Sequence, residues 1–197
     1  VWALSLAGSP TWTQLAPAGT APAVRWGHSA IYDAMRDRMV VFGGGPETPL
    51  NDVWMLSLGG TLAWSQLTPT GTPPDPRWLH SAIYDSLGDR MVVFGGEADE
   101  CFNDVWMLSL SGTPTWSRLT PTGAPPVARM GASAICDPIR NRMVVYGGGP
   151  GTYGVESADV WALSLGDTPA WTQLAPSGTA LHHRKQHTAI YDPRRDR

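Results

Sequence analysis

Lysine and cysteine are nearly absent from this sequence. Thirteen of the 14 basic residues are arginine, Lys185 is the single lysine, and Cys101 and Cys136 are the only cysteines. Two cysteines cannot build a disulfide framework, and their spacing does not match a zinc site. Long apolar runs are missing too: Met39 to Phe42 has the length of a strand, far short of the ~20 residues of a spanning helix. The sequence therefore predicts no membrane insertion.

An excess of positive charge is also lacking. The formal net charge is -3 at pH 7. Proteins that bind phosphate backbones or anionic lipid surfaces usually carry a basic patch. We expect no nucleic-acid partner.

Tryptophan, glycine and proline are abundant instead. The chain has ten Trp, 22 Gly and 18 Pro in 197 residues. Large apolar side chains together with frequent turn formers favour many short strands over helices.

An internal repeat organises the chain. The segment VWALSL at Val1 returns as VWMLSL at Val53 and Val105 and as VWALSL at Val160, with spacings of 52, 52 and 55 residues. A repeat of this length is typical of a β-propeller, in which each unit is one blade. Other features keep the same register: the tryptophans Trp12, Trp64, Trp116 and Trp171, the arginines Arg25, Arg77, Arg129 and Arg184, and the glycine doublets at 43–44, 95–96 and 147–148.

Each complete unit predicts four strands. In the first they cover 28–33, 38–44, 52–58 and 64–67, with turn residues between them. The whole chain, 1–197, is one propeller segment with units at about 1–24 (partial), 25–76, 77–128, 129–183 and 184–197 (partial). We expect fifteen strands in three full blades and one split blade, whose first strand spans 184–192 and whose second strand is lacking.

The order of motifs identifies a family. Arg-x-x-His-Ser-Ala, an apolar run, Gly-Gly, Asn-Asp-Val-Trp and Trp-x-x-Leu follow one another, which resembles the kelch repeat. The resemblance covers essentially the whole chain. It implies an all-β fold, a β-propeller of kelch-type blades similar to the central domain of galactose oxidase. Such propellers generally have more than four blades, so we expect either a piece of a longer ring or a ring of four blades that closes imperfectly.

Residues that return in every unit are interpreted as packing residues. The eight tryptophans in register are expected in the core, and the repeated arginines and aspartates, such as Arg38 with Asp33, in hydrogen-bonded pairs. His28, His80 and His187 also repeat, but Ala132 replaces the histidine in the third full unit. A metal or catalytic ring of histidines is therefore broken, and structural histidines are expected.

The sequence contains patterns that resemble catalytic or cofactor motifs, but the predicted structure around them does not suit those sites. Residues 149–154 fit the glycine pattern of dinucleotide sites, but a strand follows instead of the required helix. His183 and His187 are about 13 Å apart on an extended segment, too far for one zinc ion. We predict no catalytic residue, no cofactor and no metal, and the sequence favours a protein that is not an enzyme.

Function is expected where loops break the repeat. In a propeller, the connections between strands two and three, and between strand four and the next strand one, emerge on one face. Off-register aromatic residues and carboxylates there resemble a binding patch for a peptide or carbohydrate. The alternative is that the two tryptophans plug the channel entrance. The candidate binding residues are Trp26, Trp78, Met130, Lys185, Glu97, Asp99, Glu100, Phe102, Tyr153 and Glu156.

Two functions remain open. The first is a non-catalytic binding or scaffold propeller that engages a protein or glycan through these loops. The second is a fragment of a secreted carbohydrate-active or oxidase-like kelch enzyme whose catalytic residues lie outside this chain. The unpaired blade edge at 184–192 predicts self-association into a homo-oligomer. Composition weakly favours an exported, secreted or cell-surface bacterial protein.

Overall fold

A computed structural model describes residues 1–151, 154–179 and 181–197, and every regular element in these ranges is a strand. No helix there is long and apolar enough to cross a membrane. The strands of the described residues form four sheets. The first contains β1 (Trp2–Ser5) and β2 (Thr11–Gln14); the next contains β3 (Ser29–Asp33), β4 (Arg38–Phe42), β5 (Val53–Ser57) and β6 (Ala63–Leu67).

The remaining two sheets repeat this plan. We refer to the three sheets that contain four consecutive antiparallel strands as the first, second and third blades. The second contains β7 (Thr70–Gly71), β8 (Ser81–Asp85), β9 (Arg90–Phe94), β10 (Val105–Ser109) and β11 (Thr115–Leu119); the third contains β12 (Ser133–Asp137), β13 (Arg142–Tyr146), β14 (Val160–Ser164) and β15 (Trp171–Leu174).

The blades stack face to face. One cluster joins Phe42 of the first blade to Val93 and Trp116 of the second, and another joins Phe94 of the second blade to Trp171 of the third. Both faces of β9 are covered, which explains why its sequence is a continuous apolar run. The fold class predicted from the repeat is confirmed: the chain is all-β and consistent with a partial kelch β-propeller.

Two details differ from the expected strands. The structure assigns no strand to 184–192, because no described segment pairs with the backbone of residues 187–191. The unexpected element is β7, two residues that pair in parallel with Thr115 and Trp116 of β11. It links the connector after one blade to the outermost strand of the next.

The tryptophans divide by position in the stack. Trp106, Trp116 and Trp171 are buried, as expected, and Trp54, Trp64 and Trp161 are half-buried. The core expectation is wrong for Trp2 and Trp12, which are 59% and 64% exposed. Their two-stranded sheet has no blade before it in the described chain, so nothing covers that face.

Candidate functional site

Two sets of loops meet at one end of the blades, and we call this surface the rim. It consists of the connections after the second and the fourth strand of each blade. Backbone bonds join the two sets: Trp78 N–H donates to Glu97 O at 2.9 Å, and Glu97 N–H donates back to Trp78 O at 2.9 Å. Trp26 with Gly45 and Met130 with Gly149 make the same reciprocal pair. The rim is therefore part of the hydrogen-bonded framework.

The glycine doublet makes this close approach feasible. Gly44 has a φ of +67°, and a Cβ placed there would lie 2.5 Å from Trp26 O and 2.6 Å from His28 N. Its N–H donates to Arg77 O of the next blade at 2.9 Å. Only glycine fits this backbone, which positions the segment carrying Trp26.

The arginine that precedes the first strand of each blade fixes the rim through hydrogen bonds to the connection after the second strand. Arg77, with no exposed surface, donates to both carboxylate oxygens of Asp104 at 2.6 and 3.1 Å and to Gly95 O at 3.0 Å. Asp104 also accepts a bond from Trp106 Nε1 at 2.7 Å. Burial acts to raise the pKa of Asp104, but the bonds from Arg77 and Trp106 keep that pKa below its usual value. Arg25 with Asp52 and Arg129 with Asp159 repeat the bidentate pair.

Trp26 and Trp78 lie together on the rim. Their rings stack with centroids 5.0 Å apart and planes inclined by 9°. Trp26 is 48% exposed, and its Nε1 donates to Pro46 O at 2.9 Å. Trp78 is half-buried, and its Nε1 points to Gly45 O at 3.4 Å. The two rings are thus held in place by these bonds, and one face of the pair is open to solvent.

An inner ring of backbone bonds runs beside these tryptophans. Leu79 N–H donates to Gly27 O at 2.7 Å, Gly131 N–H to Leu79 O at 2.8 Å, and Gln186 N–H to Gly131 O at 2.7 Å. All four residues have positive φ, including Leu79 at 55°. This conformation costs a non-glycine residue roughly 1–2 kcal/mol. Leu79 was not predicted from the sequence, although glycine occupies the equivalent position in two other units, at Gly27 and Gly131.

The loop after β9 contributes four of the expected residues. Asp99 and Glu100 are exposed at its tip, while Glu97 and Phe102 are half-buried. Burial raises the pKa of Glu97, and the charge of Lys185 opposes that rise. The guanidinium carbon of Arg77 lies 4.2 Å from the centroid of the Phe102 ring, a cation–π contact that fixes the ring.

The other expected residues lie towards the third blade. Lys185 Nζ is 3.5 Å from Glu156 Oε1 and donates to Gly151 O at 3.4 Å. Met130 is only 3% exposed, so its side chain packs below the rim and offers little surface to a ligand. Tyr153 lies outside the described residues.

Histidines and cysteines do not assemble a reactive centre in the described chain. His80 Nε2 lies 2.8 Å from Ser29 Oγ of the preceding blade, and His187 Nε2 lies 2.8 Å from Ser133 Oγ. Burial raises the pKa of Cys101 and takes that of Cys136 to about 11, which keeps both thiols protonated near neutral pH. No group of three or more metal-binding side chains converges among the residues described.

Comparison with known proteins decides the family. A family model described as the KLHDC2/KLHL20/DRC7 Kelch-repeats domain matches residues 1–195. The chain belongs to the kelch-repeat family. The resemblance inferred from the repeated motifs is thereby confirmed.

Several curated proteins are similar to this kelch chain. Putative adagio-like protein 2 of rice is 33% identical over 191 residues, which are 94% of this chain and 29% of that protein. Adagio protein 3 of Arabidopsis thaliana is 31% identical, with 93% of this chain and 31% of that protein covered. Host cell factor homolog hcf-1 of Caenorhabditis elegans is 33% identical over 70% of this chain and 20% of that protein. The kelch chain thus spans less than a third of these relatives, and these plant and animal proteins do not support the bacterial origin favoured by composition.

A solved structure shows the same fold. The structure of YjhT matches with a TM-score of 0.71 at 17% identity, covering 90% of this chain and 59% of that one. At this identity the match speaks for the kelch propeller fold alone.

Proposed function

We propose that this kelch segment is a non-catalytic binding module whose rim engages a protein partner around the Trp26–Trp78 stack. Kelch propeller domains typically mediate protein binding. The observation that carries the proposal is the stack itself: the two tryptophans outside the packing register lie against each other on the loop surface, with half of Trp26 exposed. Rigid aromatic anchors of this kind dominate the binding energy of many interfaces.

Strain at the same place supports the proposal. Leu79 follows Trp78 directly and keeps a left-handed backbone conformation. Strained residues cluster at binding sites, where the surrounding structure holds them. The loop that ends at Phe102 extends the surface next to Trp78 through the Glu97 bridge.

A glycan is the second candidate ligand. The exposed face of Trp26 favours it, because flat aromatic rings also stack on the apolar faces of sugars. The secreted-enzyme alternative concerns residues outside this chain, and self-association through an unpaired edge stays a prediction of the sequence.

The experiment compares two tryptophan pairs of similar chemistry. Peptides selected from a random displayed library, and a glycan array, serve as probes of the chain. We expect selected peptides to bind Trp26→Ala/Trp78→Ala at least about tenfold more weakly, as happens when aromatic anchors are truncated. The matched control Trp2→Ala/Trp12→Ala removes two exposed tryptophans elsewhere and should change affinity by less than about twofold.

The outcomes separate the candidates. Peptide binding that the rim variant keeps would contradict the proposal. Binding to glycans alone, lost in the rim variant, would replace the protein partner by a carbohydrate. Unfolding curves of both variants show whether a loss of binding is a loss of fold.

A further inference from the structure

A groove opens on the rim between the loops of the first two blades. Its volume is about 590 Å³. Apolar side chains form more than half of its lining, and carboxylates form the rest. The lining residues are Pro49, Pro76, Ala98, Phe102, Asp75, Asp99 and Glu100.

The groove is adjacent to the aromatic pair. Asp75 and Pro76, which line the groove, directly precede Arg77 and Trp78 in the chain. Phe102 is fixed against the Arg77 guanidinium. Arg77 therefore fixes Phe102 in the wall of the groove and directly precedes Trp78 in the chain. The groove is thus a fixed part of the rim.

Most carboxylates of this region make no ion pair, although the charge of Lys185 acts on Glu97. Most carboxylates in the chain are paired, as Asp33 is with Arg38 at 2.8 Å and Asp104 with Arg77 at 2.6 Å. Five rim carboxylates of the first two blades make no ion pair within the described residues: Glu47, Asp75, Glu97, Asp99 and Glu100.

No neighbouring cation compensates this charge among the described residues that line the groove. Arg77, whose guanidinium lies against the Phe102 ring, is fully buried and already bound to Asp104. Arg25 of the first blade is likewise bound to Asp52. The surface of the groove therefore has a negative potential that its own structure does not neutralise.

We propose that this groove binds a segment of the protein partner that carries arginine or lysine side chains. The apolar stem of such a side chain would lie on Pro49, Pro76 and Phe102, while its charge reaches Asp99 and Glu100. Long basic side chains combine an apolar stem with a charged head, which matches this division of the lining. Complementary charge gives the interface its specificity. The inference rests on the proposed function, because the same partner would cover the Trp26–Trp78 stack.

The test uses peptides selected on the wild-type chain from a random displayed library. We expect arginine and lysine to be enriched in the binders, and affinity to fall when salt is raised. The variant Asp99→Asn/Glu100→Gln should lower affinity for these peptides by at least about tenfold.

The control carries the same change of charge at the opposite end of the blades. Asp37→Asn/Asp167→Asn neutralises two carboxylates without ion pairs in the described chain, in turns away from the rim. It should leave affinity within about twofold of the parent. Equal losses in both variants would show that net charge alone acts, and would overturn the groove.

The remaining outcomes separate this inference from the proposed function. Acidic or neutral peptides that bind through Trp26 and Trp78 but are insensitive to Asp99→Asn/Glu100→Gln would overturn the cationic ligand and leave the rim as a binding surface. Cationic peptides that no longer bind the groove variant but still bind Trp26→Ala/Trp78→Ala would support the groove as the binding site. They would exclude a role of the Trp26–Trp78 stack in binding. A library that yields no binder contradicts both.

Discussion

His80 lies at the contact between the first and second blades, where it is 6% exposed. Its ring meets Phe42 edge-on at a centroid distance of 5.0 Å, and its Nε2 contacts Ser29 Oγ. Where Ala132 replaces the histidine, Ser81 Oγ donates to Ala132 O at 2.6 Å instead. In both places the serine hydroxyl of one blade therefore forms a hydrogen bond with the next blade. This agrees with a structural role for the histidine.

This burial predicts a pH dependence of stability. Burial, aided by the charges of Arg77 and His28, lowers the pKa of His80 to about 3 from 6.5. The unfolded chain therefore takes up a proton below pH 6.5 while the folded chain does not, so stability falls as the pH decreases. The slope from this one group is about 1.4 kcal/mol per pH unit between about pH 5.5 and 4.

Urea unfolding of the parent and of His80→Ala over this pH range tests the prediction. The variant should be less stable at neutral pH but lose less stability on acidification, with a slope lower by about 1.4 kcal/mol per pH unit. The lowered pKa values of His28 and His187 act in the same direction in both proteins and cancel in the comparison. Parallel curves would contradict a neutral, buried His80.

At the level of the strands, the second and third blades each pack a tryptophan ring against an aromatic ring of the preceding blade. The Trp116 ring of β11 lies 4.9 Å from that of Phe42 in β4, and the Trp171 ring of β15 lies 5.1 Å from that of Phe94 in β9. The repeat predicted that these tryptophans are buried, but not which aromatic residue they meet. That information is in the stacking of sheets, which the sequence of one unit does not contain.

A matched pair of substitutions tests this contact. Trp116→Ala opens a cavity at a blade interface and should lower the free energy of unfolding by about 3–5 kcal/mol. Trp12→Ala alters the equivalent residue of β2, which is 64% exposed, and should cost less than about 1 kcal/mol. Denaturant unfolding measures both. Similar costs would contradict the described stacking order.

The rim shows where prediction from the sequence ends. Repeat breaks pointed to Trp26 and Trp78, and the structure stacks them, but whether they bind a ligand stays a proposal. The burial of Met130 was not foreseen, because its slot holds a tryptophan in two other blades. The groove was missed because Pro49 and Asp75 belong to different connectors and meet only through the bonds between loops.

Across the whole molecule, the two ends of the blades differ in how many of their carboxylates form ion pairs. The turns at the end opposite the rim link adjacent blades, for example through Arg36 and Asp89 at 2.5 Å and Arg140 and Asp196 at 2.5 Å. On the rim of the first two blades, Asp52 and Asp104 are paired with arginines, but the other five carboxylates make no ion pair in the described chain. This asymmetry supports the proposal that the rim is the binding end. The turns at the opposite end stabilise the contacts between blades.

Oxidative footprinting of tryptophan side chains measures directly whether a partner covers the rim. The chain is labelled alone and with a selected peptide, and oxidation is quantified by mass spectrometry. We expect Trp26 and Trp78 to become protected, while Trp2 and Trp12, exposed on the β1–β2 sheet, are oxidised as in the free chain. Protection of Trp2 and Trp12 with an unchanged rim would contradict it.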